Sequence, residues 1–117
     1  MRALLHGARY GEDMLNSKQR AALRAAANGL PAWFQVGKGG MGDNLVADIS
    51  AALDAHELVK VTVLKTAGVS ASEVLAELAE RLGAEQVCAT GNKVVLYRRS
   101  EKDGVRHIEF GAASTRS

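Results

Sequence analysis

The segment that most constrains the fold is ELVKVTVL, residues Glu57–Leu64, which is rich in β-branched residues and predicts a central strand. The segments before and after it, Asp43–His56 and Ser70–Leu82, both repeat apolar residues at helical spacing. A strand between two such helices favours right-handed crossovers onto one sheet. The chain is therefore predicted to be an α/β protein.

The remaining patterns complete one domain. Asn16 with Gln19 three residues later predicts a capping box for a first helix from Ser17 to about Asn28. Its predicted core stripe is Leu23, Ala26, Ala27 and Leu30. A second capping box is predicted at Ser70 and Glu73, and Gly83 supplies a left-handed helix stop.

Three shorter strands are predicted around these helices. Ala32–Val36 forms the first, and Glu85–Thr90 and Lys93–Arg98 flank a Gly91-Asn92 hairpin turn. The order α-β-α-β-α-β-β predicts a single compact α/β domain, with three helices and a four-stranded mixed sheet. Residues 1–14 are expected to form a disordered leader or extension, 15–99 the domain, and 100–117 a flexible tail.

The composition excludes several classes of protein. No apolar run approaches the roughly 20 residues that span a bilayer, and the N-terminal apolar run is too short for a secretory signal. The lone Cys88 excludes an internal disulfide framework and offers no metal cluster. A cytoplasmic location is expected.

The charge is distributed unevenly along the chain. The net charge is +2, yet residues 14–42 carry four basic residues and no acid. Residues 43–90 carry eight acids against three bases, and residues 91–117 carry six bases against three acids. Basic segments at both ends indicate a polyanionic partner. An alternative is a protein–protein adaptor that works through its acidic helices.

The glycine segment Gly37-Lys38-Gly39-Gly40 stands between a predicted strand and a predicted helix, and matches the short pattern G-x-x-G. Glycines leave no Cβ to hold a ligand away, and the amides at the start of the following helix carry partial positive charge. Lys38 adds a full charge. These features suit a sugar-phosphate backbone. The alternative is a turn that only connects the strand to the helix.

Enzymatic interpretations fit less well. Lys38 does not stand in the frame of a Walker A loop. Gly37, Gly39 and Gly42 do spell G-x-G-x-x-G, but Asp43 follows directly and would repel a pyrophosphate. The acid expected after the next strand is missing as well. No catalytic triad or carboxylate pair stands in a recognisable frame, so we predict no enzymatic activity, cofactor, metal or small-molecule substrate.

Several ordered motifs together resemble the CRM domain, whose bacterial stand-alone form is the YhbY family. They are Asn16-Ser17-Lys18-Gln19-Arg20 with Leu23-Arg24 and Gly29-Leu30-Pro31, then Phe34 to Gly40, His56 to Val61, and Gly91 to Arg98. The resemblance covers about residues 15–99. It departs from the family pattern at Trp33, where a smaller aliphatic residue is usual, and at Gly42, where a Ser or Thr cap is usual.

The resemblance implies an RNA-binding domain similar in fold to the C-terminal domain of bacterial translation initiation factor three. Bacterial members are associated with precursors of the large ribosomal subunit, so large-subunit ribosomal RNA or a pre-ribosomal particle is the expected partner. The expected RNA-binding residues are Gly37, Lys38, Gly39, Gly40, Lys18, Arg20 and Arg24. Trp33, as a stacking face, and the basic Lys93 and Arg98 are further candidates.

Overall fold

The computed structural model describes residues 15–100 and Gly104, which form three helices and four strands. A short 3₁₀ turn, Lys65–Ala67, follows the second strand. The elements are α1 (Ser17–Ala27), β1 (Phe34–Val36), α2 (Asp43–His56), β2 (Leu58–Val63), α3 (Ala71–Leu82), β3 (Glu85–Thr90) and β4 (Lys93–Tyr97). This confirms the predicted order of elements.

The four strands form one mixed sheet in the order β1-β2-β4-β3. β1 runs parallel to β2, while β4 pairs antiparallel with both β2 and β3. α2 carries the chain from β1 to β2, and α3 carries it from β2 to β3. The predicted mixed sheet is confirmed, and β1 and β3 are its two outer strands.

Helices cover both faces of the sheet, and each face has its own apolar core. Alternate residues of β2 point to opposite faces. Val59, Val61 and Val63 pack with α2 and α3, whereas Leu58 packs with Leu23 of α1. We call these faces the α2/α3 side and the α1 side.

The predicted helix signals are present as geometry. The side chain of Asn16 accepts from the backbone N–H of Gln19 at 2.7 Å, and Ser70 does the same for Glu73 at 3.1 Å. Both reciprocal bonds are also made, which completes two capping boxes. Gly83 ends α3 with a φ of 64°. Local sequence therefore sets these boundaries.

Several details of the prediction are wrong. β2 and β4 each end one residue earlier than predicted, at Val63 and Tyr97. Ala26 is exposed, because α1 turns Leu23 and Ala27 toward the sheet instead. β1 is shorter than predicted and leaves Ala32 and Trp33 outside the strand. β2 begins at Leu58, because Glu57 adopts a left-handed conformation that ends α2.

Glu57 forms a buried junction between α2 and the chain that leaves β4. Its φ of 67° is unusual for a residue other than glycine, and its side chain is fully buried. The backbone N–H of Ser100 donates to Glu57 Oε2 at 2.7 Å, and that of Arg98 donates to the Glu57 carbonyl at 2.9 Å. These bonds hold the chain in place beyond the end of the sheet.

The expectations for the leader and the tail lie outside the described residues, with two exceptions. Gly104 is described as an exposed turn residue. Ser100, assigned from sequence to the tail, is buried and donates its hydroxyl hydrogen to the carbonyl of Asp54. The described fold therefore extends to Ser100.

The stability of the fold is expected to decrease at high pH because of Tyr97. Burial, followed by the charge of Glu57, raises the pKa of Tyr97 from 10.0 to about 12. Above pH 10 the unfolded chain loses the phenolic proton while the folded chain keeps it, so stability falls until about pH 12. We expect this loss to be about 1 to 2 kcal/mol, because solvent partly screens the phenolate charge. Chemical denaturation at pH 9 and pH 12 measures it, and Tyr97→Phe should show a correspondingly smaller pH dependence.

Candidate nucleic-acid interface

The glycine segment forms a tight turn directly after β1. The backbone N–H of Gly40 donates to the carbonyl of Gly37 at 2.8 Å, which places Lys38 and Gly39 at the tip. Lys38 is exposed. An added Cβ at Gly39 would meet no atom within 4 Å. The turn therefore presents open backbone and a free ammonium group, and we call Gly37–Gly40 the GxxG loop.

The two outer glycines of the loop differ: the backbone conformation favours glycine at Gly40, and Gly37 is closely packed. Gly40 has a φ of 72°, which disfavours any side chain. A Cβ at Gly37 would lie 3.3 Å from Leu64 Cδ1 and 3.4 Å from Thr66 Oγ1. The exposed Lys65 of the 3₁₀ turn stands in sequence between these two neighbours of Gly37. Sequence reasoning did not select Lys65.

Paired alanine substitutions separate these roles. Gly40→Ala is expected to lower the free energy of unfolding by about 1 kcal/mol, because a Cβ is strained in the left-handed region. Gly39→Ala is expected to change it little, because the added methyl group enters open space. Urea denaturation measures both variants. Equal stability of the two would contradict the conformation of the loop.

The start of α2 is expected to repel a phosphate less strongly than its sequence implied. Gly42 occupies the N-cap and provides no side-chain hydrogen bond. Asp43 follows it, but its carboxylate pairs with the Arg81 guanidinium at 3.2 Å. Arg81 also donates to the carbonyl of Met41 at 2.9 Å. The negative charge beside the loop is thus partly balanced by an arginine from α3.

The three basic residues of α1 differ in their exposure and in their hydrogen bonds. Lys18 and Arg24 are exposed, and neither makes a salt bridge with another described residue. Arg20 is half-buried, and its Nε donates to the carbonyl of Gln86 on β3 at 3.1 Å. Arg20 therefore anchors α1 to the sheet as well as adding positive charge.

These residues do not converge on one pocket. The GxxG loop follows the outer strand β1, whereas Arg20 lies against the opposite outer strand, β3. Three steps between strands separate β1 from β3, about 14 Å. The predicted site is therefore a broad surface that crosses the sheet, with Lys18 and Arg24 on the helix above it.

Charge is segregated between the two sides of the sheet. Among the described residues, α2 and α3 carry six acidic residues and one arginine: Asp43, Asp48, Asp54, Glu73, Glu77, Glu80 and Arg81. In the same part of the chain, α1 and the strands carry five basic residues and one acid: Lys18, Arg20, Arg24, Lys60, Lys93 and Glu85. The Lys60 and Lys93 side chains share the α1 side, because each lies two residues along its strand from a residue of that core, Leu58 or Val95.

The further candidates have different surroundings. Lys93 is half-buried and donates to Asn92 Oδ1 at 3.2 Å. Trp33 is 45% exposed, and its ring centroid lies 4.9 Å from that of His56. Both remain accessible from solvent.

Arg98, in contrast, is used inside the fold. Its guanidinium donates to the Leu82 carbonyl at 2.8 Å and to Asp54 Oδ1 at 3.0 Å. It also donates to both the carbonyl and the hydroxyl oxygen of Ser50. These bonds tie the end of β4 to α2 and α3, so we leave Arg98 out of the candidate surface.

Other kinds of site find no support in the described part of the chain. Within residues 15–100, no helix is long and apolar enough to cross a membrane. The same residues bring together no group of three histidine, cysteine or acidic side chains that could hold a metal ion. Cys88 is a half-buried free thiol packed against the core on the α1 side.

The fold and this surface define a small α/β domain with a GxxG loop at the edge of its sheet. The chain belongs to the CRS1 / YhbY (CRM) domain family, whose model matches residues 15–98. The resemblance predicted from the sequence is thereby confirmed.

Individual relatives agree with this assignment. The chain is 40% identical over 90 residues to "Probable RNA-binding protein YqeI" of Bacillus subtilis, covering 77% of this chain and 94% of that protein. It is 32% identical over 88 residues to an "RNA-binding protein" of Haemophilus influenzae, covering 75% and 89%. The solution structure of the hypothetical protein SAV1595 from Staphylococcus aureus matches with a TM-score of 0.63 and 31% identity, over 81% of this chain and all of that one.

Proposed function

We propose that this protein binds RNA without catalysing a reaction, and that its target is large-subunit ribosomal RNA in an assembling particle. It would thereby assist ribosome assembly in the cytoplasm. Two relatives carry the name of RNA-binding proteins. The large-subunit target is what the family resemblance implies.

The observation that carries the proposal is the segregation of charge across the sheet. The α1 side presents Lys18, Arg24, Lys60 and Lys93 with the GxxG loop at its border, and the acidic helices lie on the opposite side. A polyanion would be attracted to the first side and repelled from the second. The same arrangement would fix which way the protein faces its RNA.

The mechanism is electrostatic and based on shape. Lys38 and the open backbone at Gly39 would contact phosphates at the loop, as GxxG loops of KH domains clamp a nucleic-acid backbone. Lys18 and Arg24 would contact a neighbouring stretch of backbone from α1. Phosphate contacts position a protein without reading bases. Structure should therefore matter more than sequence in the choice of RNA.

The second candidate is a protein–protein adaptor that uses the acidic side. Asp48 and Glu80 favour it, because neither forms an ion pair with another described residue. Glu77 is less available, since it pairs with Arg81 at 3.5 Å. A basic ribosomal protein would be a suitable partner. Charge reversal at Glu80 should abolish this function and leave RNA binding intact.

The test is binding of the wild-type protein to large-subunit and small-subunit ribosomal RNA fragments of equal length, across a salt series. We expect tighter binding to one or more large-subunit fragments. If about four or five phosphates are neutralised, log K against log salt should have a slope of roughly −3 to −4.5. Equal binding to all fragments would contradict the proposed target. Failure to bind any fragment would contradict the proposed function itself.

A further inference from the structure

Part of the sheet on the α1 side is not covered by α1. The core beneath this helix consists of residues near one end of the sheet, including Leu58, Val87, Val95 and Tyr97. Toward the GxxG loop, the strand residues on the same side are polar. They are Gln35, Lys60, Thr62, Thr90 and Lys93, and we call them the open strip. Gln35 and Thr90 are exposed, Lys60 and Lys93 are half-buried, and Thr62 between them is buried.

The strand register aligns the open strip into a row. Gln35 pairs with Thr62, Thr62 with Lys93, and Lys93 with Thr90, so one polar residue from each strand stands side by side. Lys60 lies two residues before Thr62 on the same side. Apart from the bond from Lys93 to its neighbour Asn92, these side chains make no hydrogen bond or ion pair with another described residue.

A polar sheet face alone would not indicate a ligand, because antiparallel sheets often face water. Trp33 provides the second observation. It is the most exposed large apolar residue of the described chain, and it contacts the ring of His56 at a 43° angle between planes. The pairing of Phe34 with Val61 places the backbone of Trp33 next to that of Lys60, and an exposed indole there offers a face on which a nucleic-acid base can stack.

Trp33 and the GxxG loop lie at opposite ends of β1, with the open strip alongside. Trp33 and Gly37, the first residue of the loop, are four residues apart in nearly extended chain, about 13 Å. Four-stranded sheets of other RNA-binding domains stack two or three bases over such a face. Stacking on a side chain requires a base that is not enclosed in a duplex. The chemistry therefore selects unpaired RNA.

We propose that the open strip and Trp33 bind a short unpaired RNA segment, with one base stacked on the Trp33 indole and the backbone passing Lys60 and Lys93 toward the GxxG loop. This inference rests on the proposed function, and it adds that the bound RNA is single-stranded at this face.

Trp33 is the one tryptophan of the chain, so its fluorescence reports on this site directly. The probe is an unstructured RNA oligonucleotide of about eight nucleotides, within the usual range of single-strand sites, compared with a blunt duplex of the same length. Labelled RNA gives binding independently by anisotropy. We expect the single strand to quench Trp33 as it binds, and the duplex to leave it unquenched.

Variants decide whether stacking contributes to affinity. Trp33→Ala is expected to weaken single-strand binding about tenfold, and Trp33→Phe to retain most of it. Lys60→Gln should weaken it severalfold. Val69→Ala is the matched control, because Val69 is a similarly exposed apolar residue outside the strip. Circular dichroism confirms that each variant is folded.

The outcomes separate this inference from the proposed function. If Trp33→Ala binds like the wild type and Trp33 is not quenched, while Lys38→Gln still weakens binding to ribosomal RNA, the inference is overturned and the proposed function stands. If the wild type binds neither the oligonucleotide nor any ribosomal fragment, both are overturned. Quenching together with loss of affinity in Trp33→Ala supports the inference.

Discussion

An Arg98→Ala variant is expected to unfold with a free energy about 3 kcal/mol lower than that of the wild type. The guanidinium holds two helices at the end of β4 through its bonds to Leu82, Ser50 and Asp54. Its removal leaves two part-buried carbonyls and a carboxylate without this donor. Thermal and urea denaturation measure the loss.

Arg98→Lys should rescue only part of this stability, because one ammonium group cannot span acceptors on both helices. Arg24→Ala is the control, since Arg24 is exposed and makes no side-chain hydrogen bond to another described residue. We expect Arg24→Ala to leave stability nearly unchanged. A fully stable Arg98→Ala variant would show that these contacts do not hold α2 and α3 to the end of β4.

The largest effect on binding is expected from Lys38→Glu. The substitution removes a cation at the tip of the GxxG loop and places an anion there. We expect affinity for a bound ribosomal RNA fragment to fall about tenfold or more at moderate salt, and the salt slope to become shallower by about 1. Because Lys38 is exposed and without a described salt-bridge partner, stability should not change.

Lys38→Gln and Ala51→Glu provide the matched comparison. Both change the net charge by one unit, but Ala51 is an exposed residue of α2 on the acidic side. We expect Lys38→Gln to weaken binding severalfold and Ala51→Glu to have little effect. If Lys38→Glu bound RNA as tightly as the wild type, the loop would be only a connector between β1 and α2.

Local signals in the sequence were sufficient to predict most of the fold. Asn16 with Gln19 and Ser70 with Glu73 define two helix starts through bonds between residues three apart. The alternation along β2 and the Gly91-Asn92 turn define the strands in a similar way. Each of these features depends on neighbours in sequence, and such patterns are the ones a single sequence records.

The roles of the arginines could not be predicted, because they depend on contacts between distant residues. From the sequence, Arg98 is expected to be a solvated residue at the end of a strand, yet its partner Asp54 lies 44 residues away. In the sequence, Arg20 and Arg24 are four residues apart and share one flank of α1, yet Arg20 alone of the two bonds to a carbonyl 66 residues away. Only the packed structure distinguishes these two arginines from Arg24.

The open strip illustrates a second limit of prediction from the sequence. Lys60 stands within a strongly apolar strand and reads as a lysine that is merely exposed. Its significance depends on which residues of β1, β3 and β4 stand beside it, and so on the strand register. The alternation of β2 did carry the signal that Lys60 and Thr62 share a face.

The central claim is that RNA binds the α1 side and not the α2/α3 side. Its most direct test compares Lys18→Gln/Arg24→Gln with Ala51→Glu/Ala76→Glu, on one large-subunit RNA fragment at one salt concentration. Both double variants lower the net charge by two units at exposed helix positions on opposite sides of the sheet. We predict that the first variant loses about tenfold or more in affinity and that the second stays near the wild type. Equal losses would mean that only net charge matters, and a larger loss in the second would place the RNA on the acidic side.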